Sequence, residues 1–334
     1  MKTKNLIYNI SIIIILWLMI YIWWIIAVFN FAIFILFYSS VFFIFYFLYK
    51  KYIKKQEISY KKYLYDFVKK TCLSLVILLF IIWWFGMYYN YFSPPQILQY
   101  TISDGQKTVI FQEMSHIASQ KFYDTIKENI KKYKKQWYVY FFEWVKPGTK
   151  ENMDNFDKIL GIKFDKDLYD NFSKLYNLTF QNQKEFLNIQ NNLDFNTDVN
   201  INWIIEQYKK KHINLTQEKQ KIPVNISKDI IEQLGKLNGK QLQIMVFINR
   251  AFLAFIIKND LTQDFIRNNF TNKDLFEIIL EWRNKILTNE ISKSKYNKIY
   301  ITYWKMHFQW VLKLLQKQNP KWHITNKKLI NLFQ

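Results

Sequence analysis

The order of hydrophobic and polar positions divides the chain at about residue 95. From Leu6 to Tyr49 there is no charged residue in 44 positions dominated by Ile, Phe, Leu, Trp and Tyr. One membrane helix needs ~20 apolar residues. The run therefore predicts two helices, about 6–27 and 31–49, turning near Asn30. A third span is expected over about 72–92, from Cys72 to Phe92, and Pro94-Pro95 stops it. The apolar stretch far exceeds the core of a signal peptide, and no small-residue cleavage site follows it. Residues 1–95 read as a membrane anchor with a basic loop at 50–71.

After residue 95 the pattern becomes that of a globular domain, 96–334, in which the sequence shows no apolar run long enough to span. Leu98–Ser103 and Lys107–Phe111 are extended runs flanking Asp104-Gly105, which predicts a β-hairpin, since Asp-Gly supplies the positive φ angles of a tight turn. A helical spacing of Phe122, Ile126, Ile130 and Tyr133 follows, then a strand at Tyr138–Phe142. This strand, helix, strand unit predicts a parallel pair with a crossover helix. Residues 148–270 read as mostly helical with polar connections. Beyond them, Thr271–Asp274 resembles a capping box, Leu275, Ile278, Ile279, Trp282, Ile286 and Leu287 form an amphipathic stripe with Arg283 and Asn284 beside it, and a strand at Ile299–Tyr303 leads to a helix ending before Pro320. The fold class expected is α/β: transmembrane helices, then a domain with a mixed, largely parallel central sheet and a helical insertion.

Composition changes this picture in two respects. The net charge of +21 comes from 44 Lys and only 3 Arg among 334 residues, and with the excess of Asn, Ile, Phe and Tyr this is the mark of A/T-rich coding. The charge is discounted as a sign of a nucleic-acid partner. Its placement is still informative: Lys2 and Lys4 at the start, and eight lysines against Glu57 and Asp66 in 50–71, flank the first two spans. The positive-inside rule puts both segments in the cytoplasm. The expected protein is multi-pass in the cell membrane, with the bilayer as a partner and the domain after Pro95 outside the cytoplasm. Cys72 is the only cysteine, so no internal disulfide forms.

The candidate chemistry lies where strands end. His116 and Glu143 fall just past the carboxyl ends of predicted strands, the edge where open α/β sheets bind ligands. His307 stands in the same relation to the late strand. By contrast, His212 in Lys209-Lys-Lys-His reads as a solvated helix face, Asp198 as a helix cap, and Ser115 and Ser119 as caps of the helix after them.

Taken in order, Glu113-Met-Ser-His116, Glu143 in Phe-Phe-Glu-Trp-Val-Lys-Pro-Gly148, the pair Arg283-Asn284, and Trp304-Lys-Met-His307 resemble the TraB/GumN group of the TIKI superfamily. That group has two GxxH motifs, a carboxylate after the strand that follows the first, and an Arg-Asn pair before the last strand. The resemblance spans nearly all of 98–320. It implies a metal-dependent hydrolase with His116, His307 and Glu143 on a divalent cation such as manganese or cobalt, Glu143 and Arg283 in catalysis, and a peptide as substrate or ligand. A tethered module that binds peptide on the same fold without turnover is the alternative. A transporter or assembly role is disfavoured, because the spans hold no charged residue that could mark an ion path.

Both motif glycines are absent, replaced by Glu113 and Trp304, and Trp144 and Trp310 also stand where the resemblance expects Gly. The chain has 6 Gly and 12 Trp, when Gly ordinarily makes up ~7% of residues. Coding drift should deplete both residues. Reading a UGA glycine codon as Trp would account for both counts, and if the indoles are genuine they crowd the site.

Overall fold

The computed structural model describes residues 43–55, 59–160, 163, 168–181, 192–211, 226–259 and 273–333. The first expected span and most of the second, as well as His212 and the start of the expected capping box, lie outside the described residues. The chain forms two compact units: Met1–Tyr88 with Leu237–Ala251, and Tyr89–Lys236 with Phe252–Gln334.

In the first unit a helix runs over Tyr60–Met87, so the basic segment expected to be a loop as far as 71 is helical from Tyr60 onward. No Gly or Pro interrupts 60–85, which leaves the helix nothing to stop at. Leu64–Phe92 is long and apolar enough to cross a membrane, and so is Gly239–Lys258, inside the part expected to lack such a run. Gln241, Gln243, Asn249 and Arg250 interrupt the second of these, yet its mean hydropathy is still 1.4. Gly86 lets the two helices approach closely: a methyl group there would overlap the Phe247 ring.

The second unit is built on a six-stranded sheet. Its strands are β1 (Gln96–Ser103), β2 (Thr108–Met114), β4 (Val139–Phe142), β6 (Asp194–Asn196), β7 (Lys298–Trp304) and β8 (His323–Asn331), and β3 (Ile117–Ala118) pairs separately with β5 (Thr179–Phe180). The spatial order is β6-β4-β7-β2-β1-β8. β6, β4, β7 and β2 are parallel, while β1 is antiparallel to both β2 and β8. The mixed, mostly parallel α/β sheet is as expected.

Two local expectations are refined. The hairpin loop holds four residues, 104–107, with Gly105 at φ +92°, and the Asp104 carboxylate accepts the N–H groups of Gln106 and Lys107 at 3.0 and 2.8 Å. The crossover from β2 to β4 is parallel, but its strands are not neighbours: β7 inserts between them, pairing Met114 with Trp304 and Phe142 with Thr302. The late strand is thus brought in beside both early ones.

Both faces of the sheet are covered, as a parallel sheet requires. On one side Phe122, Ile126 and Ile130 of the helix Gln120–Lys135 pack on Ile97, Ile110 and Tyr140. On the other, Leu287 and Ile291 of Arg283–Lys293 and Phe308, Leu312 and Leu315 of Phe308–Gln318 pack on Phe111 and Ile301. Burial of each such side chain contributes about 1.5–3 kcal/mol.

The helix Gln120–Lys135 is capped by Ser119, whose hydroxyl accepts the Phe122 N–H at 3.1 Å, as expected; Ser115 instead donates to the Ile117 carbonyl. Its other end closes with the N–H groups of Trp137 and Tyr138 on the carbonyls of Lys134 and Tyr133, and with the Tyr133 and Tyr138 rings in contact. This termination places residue 137 in the left-handed region, where φ is +64°. A bulky L-residue pays about 1–2 kcal/mol for that conformation. Trp137→Gly should therefore stabilise the full chain by about 1 kcal/mol after the extra freedom of the unfolded glycine is subtracted. In a thermal melt that is a rise of about 2–4 °C; an unchanged or lowered midpoint would show that Trp137 is not strained.

Candidate active site

Insertion of β7 puts the carboxyl ends of β2, β4 and β7 side by side, and the residues just beyond them converge. Glu143 follows β4, its backbone N–H on the Thr302 carbonyl at 3.1 Å. One carboxylate oxygen, Oε2, accepts the Trp304 N–H at 2.6 Å, and Oε1 accepts Arg283 Nη2 at 2.5 Å. His307 Nε2 lies 3.6 Å from the same Oε1, beyond hydrogen-bond length. The His116 and Trp304 rings are 5.7 Å apart, and those of Trp304 and His307 6.4 Å. The Gln181 side chain hydrogen-bonds His116. All four site residues expected from sequence, His116, Glu143, Arg283 and His307, fall in one cluster.

Arg283 and Asn284 depart from the expected placement beside the apolar stripe: both are buried. The cause is a single turn of π-helix, Ile278–Trp282, between the α-helical segments Lys273–Glu277 and Arg283–Lys293. The wider turn shifts the helical phase, so that Arg283 and Asn284 join Leu287 and Ile291 on the inner face. Glu277, the last residue before the π-turn, is bound to Lys211 at 2.5 Å.

The strongest partner of Arg283 was missed by sequence reasoning. Asp198, expected to cap a helix, accepts Nε and Nη2 at 2.7 Å each in a bidentate pair, and its own side chain is fully buried. The cap of the helix Ile201–Lys211 is Asn200, which accepts the Trp203 N–H at 2.8 Å. Asp198 follows β6, a three-residue strand parallel to β4, so it too is a carboxylate just past a strand end. Asn196-Thr-Asp198 between an extended triplet and a helix was the available signal. Tyr303 closes the cluster, donating its hydroxyl to the Thr197 carbonyl at 2.8 Å with its ring edge-on to His307.

Electrostatics follow from one guanidinium shared by two buried carboxylates, which titrate as a pair. Burial alone would raise Glu143, but Arg283 and, secondarily, His307 outweigh it and hold the carboxyl well below the usual range. Asp198 goes the other way: burial and the charge of Glu143 raise it despite Arg283. Burial works against the Arg283 charge too, and Asp198 and Glu143 overcome it, so the guanidinium stays ionised. Burial lowers His116 below the ordinary histidine value, favouring the neutral imidazole.

His307 is fixed in orientation and left open at one nitrogen. Its Nδ1 is 2.7 Å from Asn284 Oδ1, and with the amide in this orientation Nδ1 is the donor. Nε2 then presents a lone pair and has no hydrogen-bond partner, although the side chain is fully buried. An imidazole held in this way suits either a proton acceptor or a metal ligand. Among the described residues no group of three His, Cys, Asp or Glu side chains is arranged to hold a metal ion; Glu143 already carries Arg283 and the Trp304 N–H. Glu113, at a motif glycine position, accepts the Leu98 N–H at 2.9 Å and serves the sheet. No family model, curated protein or solved structure matches the chain.

Proposed function

We propose that the chain is a membrane-anchored hydrolase of the TraB/TIKI-like kind, cleaving peptides outside the cytoplasm at the cluster around His307. The observation that carries this reading is the buried His307 imidazole, with Nδ1 committed to Asn284 and Nε2 unpartnered beside Glu143. Lone-pair nitrogen in a desolvated pocket next to an ionised carboxylate is what proton abstraction from water requires. Glu143 stabilises the imidazolium that forms. Arg283, its donors spent on Asp198, Glu143 and the Ile279 carbonyl, orients Glu143 and supports its negative charge.

A divalent cation would have the imidazoles of His307 and His116 as its donors, Nε2 of His307 then serving as ligand in place of base, with no third side-chain ligand arranged for it among the described residues. Bound there, it would polarise a carbonyl and acidify a water. The alternative of binding without turnover draws support from Trp304, whose indole stands near both imidazoles.

The test uses the full chain in detergent, loaded with manganese or cobalt, desalted, and assayed for bound metal and for cleavage of a fluorogenic peptide library. Wild type should retain metal and cleave; His116→Ala and His307→Ala should lose both while keeping a cooperative melt. Metal content and cleavage unchanged in both variants would overturn the proposal, and peptide binding without cleavage would establish the alternative.

A further inference from the structure

Twelve tryptophans in a chain with six glycines need a physical reason, and the structure supplies one for only some of them. Trp322 is buried at 3% exposure in the core between the sheet and the helix Phe308–Gln318, with its carbonyl accepting Gln316 Nε2. Trp203 and Trp282 meet edge to face, and the Trp282 indole N–H donates to Glu277. These are the packing and donor roles that make an indole worth keeping.

Trp137 has neither. At 84% it is the most exposed of the large apolar side chains among the described residues. Its backbone is left-handed, at φ +64°, two residues past the end of the helix Gln120–Lys135. The two closing hydrogen bonds and the Tyr133–Tyr138 contact are the complete set for a helix end that glycine most often terminates. Of the other non-glycine residues with positive φ, Asn177 is of a type that tolerates the conformation and Lys55 is an unbranched chain in the first unit. Among the described residues, Trp137 alone combines the backbone of a glycine with a large side chain that touches no core.

We infer that residue 137 is glycine in the protein as its own cell makes it, and that residue 304 is glycine as well, both encoded by UGA. Some genetic codes read UGA as tryptophan and others as glycine. In an A/T-rich gene UGA is favoured over UGG, so a glycine-reading UGA depletes the written Gly and swells the written Trp together. At residue 304 the same recoding would keep the backbone bond, its N–H on Glu143 Oε2, while the backbone there, at φ −56° and ψ 140°, does not itself require glycine. Removing the indole takes away the ring that stands 5.7 Å from that of His116 and 6.4 Å from that of His307. Codons decide this inference whatever the site turns over, so it stands or falls apart from the hydrolase reading.

The experiment is to read the codons at 137, 304 and 322 and to sequence by tandem mass spectrometry the tryptic peptides of the protein isolated from its own cells. The expected result is UGA at 137 and 304, each peptide lighter by one indole-bearing side chain, and UGG with intact Trp at 322. UGG at 137, or Trp in the native peptide, overturns the inference. UGA at 137 with UGG at 304 removes its consequence for the site. A second readout is the full chain with Trp304→Gly beside the unaltered chain: diethylpyrocarbonate should modify one or both site histidines faster in the variant, and equal rates would show that the indole does not cover them.

Discussion

Replacing Arg283 with methionine is expected to destabilise the fold by about 3–5 kcal/mol, the cost of leaving a buried charge unpaired. Here the loss is doubled in kind, because the guanidinium serves both Asp198, bidentate at 2.7 Å, and Glu143 at 2.5 Å. The midpoint of a thermal melt should fall by about 10 °C. The pH dependence should change sign. In wild type, the Glu143 carboxyl sits below its ordinary value of 4.5, so its share of stability is full above that value and is lost as pH falls through the depressed one. Without Arg283, Glu143 rises above its unfolded value and Asp198, already raised in wild type, rises further. Their contribution is then present at acid pH and lost as pH rises through the raised values. The deficit of Arg283→Met should therefore be largest at neutral pH and shrink towards pH 4. Adding Glu143→Gln and Asp198→Asn to Arg283→Met should recover much of the loss by removing the stranded charges. A deficit independent of pH, or no recovery in the triple variant, would mean that the cost comes from lost packing.

That prediction rests on a contact no local pattern announces. Strands, the Ser119 cap and the helix Gln120–Lys135 follow from residue periodicity and turn chemistry, which act over a few positions. His116, Glu143 and His307 could be picked out because each follows a recognisable extended run. Asp198 could not: its strand is three residues long, too short to alternate, and its partner is 85 residues away. The place of β7 was equally hidden, since hydrophobicity shows that a strand exists and not which neighbours it takes. The π-turn at Ile278–Trp282 defeats helical spacing by adding a residue to one turn, and so an arginine read as peripheral becomes buried. The apolar character of the helix Gly239–Lys258, by contrast, was legible along the chain, with a mean hydropathy of 1.4, and was missed because Gln241, Gln243, Asn249 and Arg250 break the run into short pieces.

The same geometry separates chemistry from scaffolding at His307. His307→Ala takes the donor from Asn284 Oδ1, which costs about 1–3 kcal/mol when a buried acceptor is stranded. Peptide cleavage should fall by much more, about 10²–10⁴-fold, the usual share of a positioned general base. Asn284 distinguishes the two contributions. It is a positioning residue: Asn284→Ala leaves the imidazole in place but removes the acceptor that keeps the proton on Nδ1 and the lone pair on Nε2. Partners of this kind are worth about 10–100-fold in activity. Cleavage by Asn284→Ala should therefore lie between wild type and His307→Ala, with the loss in kcat and KM nearly unchanged. Asn284→Asp retains an acceptor for the Nδ1 proton and should recover most of the rate. If both alanine variants lose activity only in proportion to their lowered melting temperatures, and Asn284→Asp recovers none of the rate, His307 is a structural histidine and the reacting group lies elsewhere.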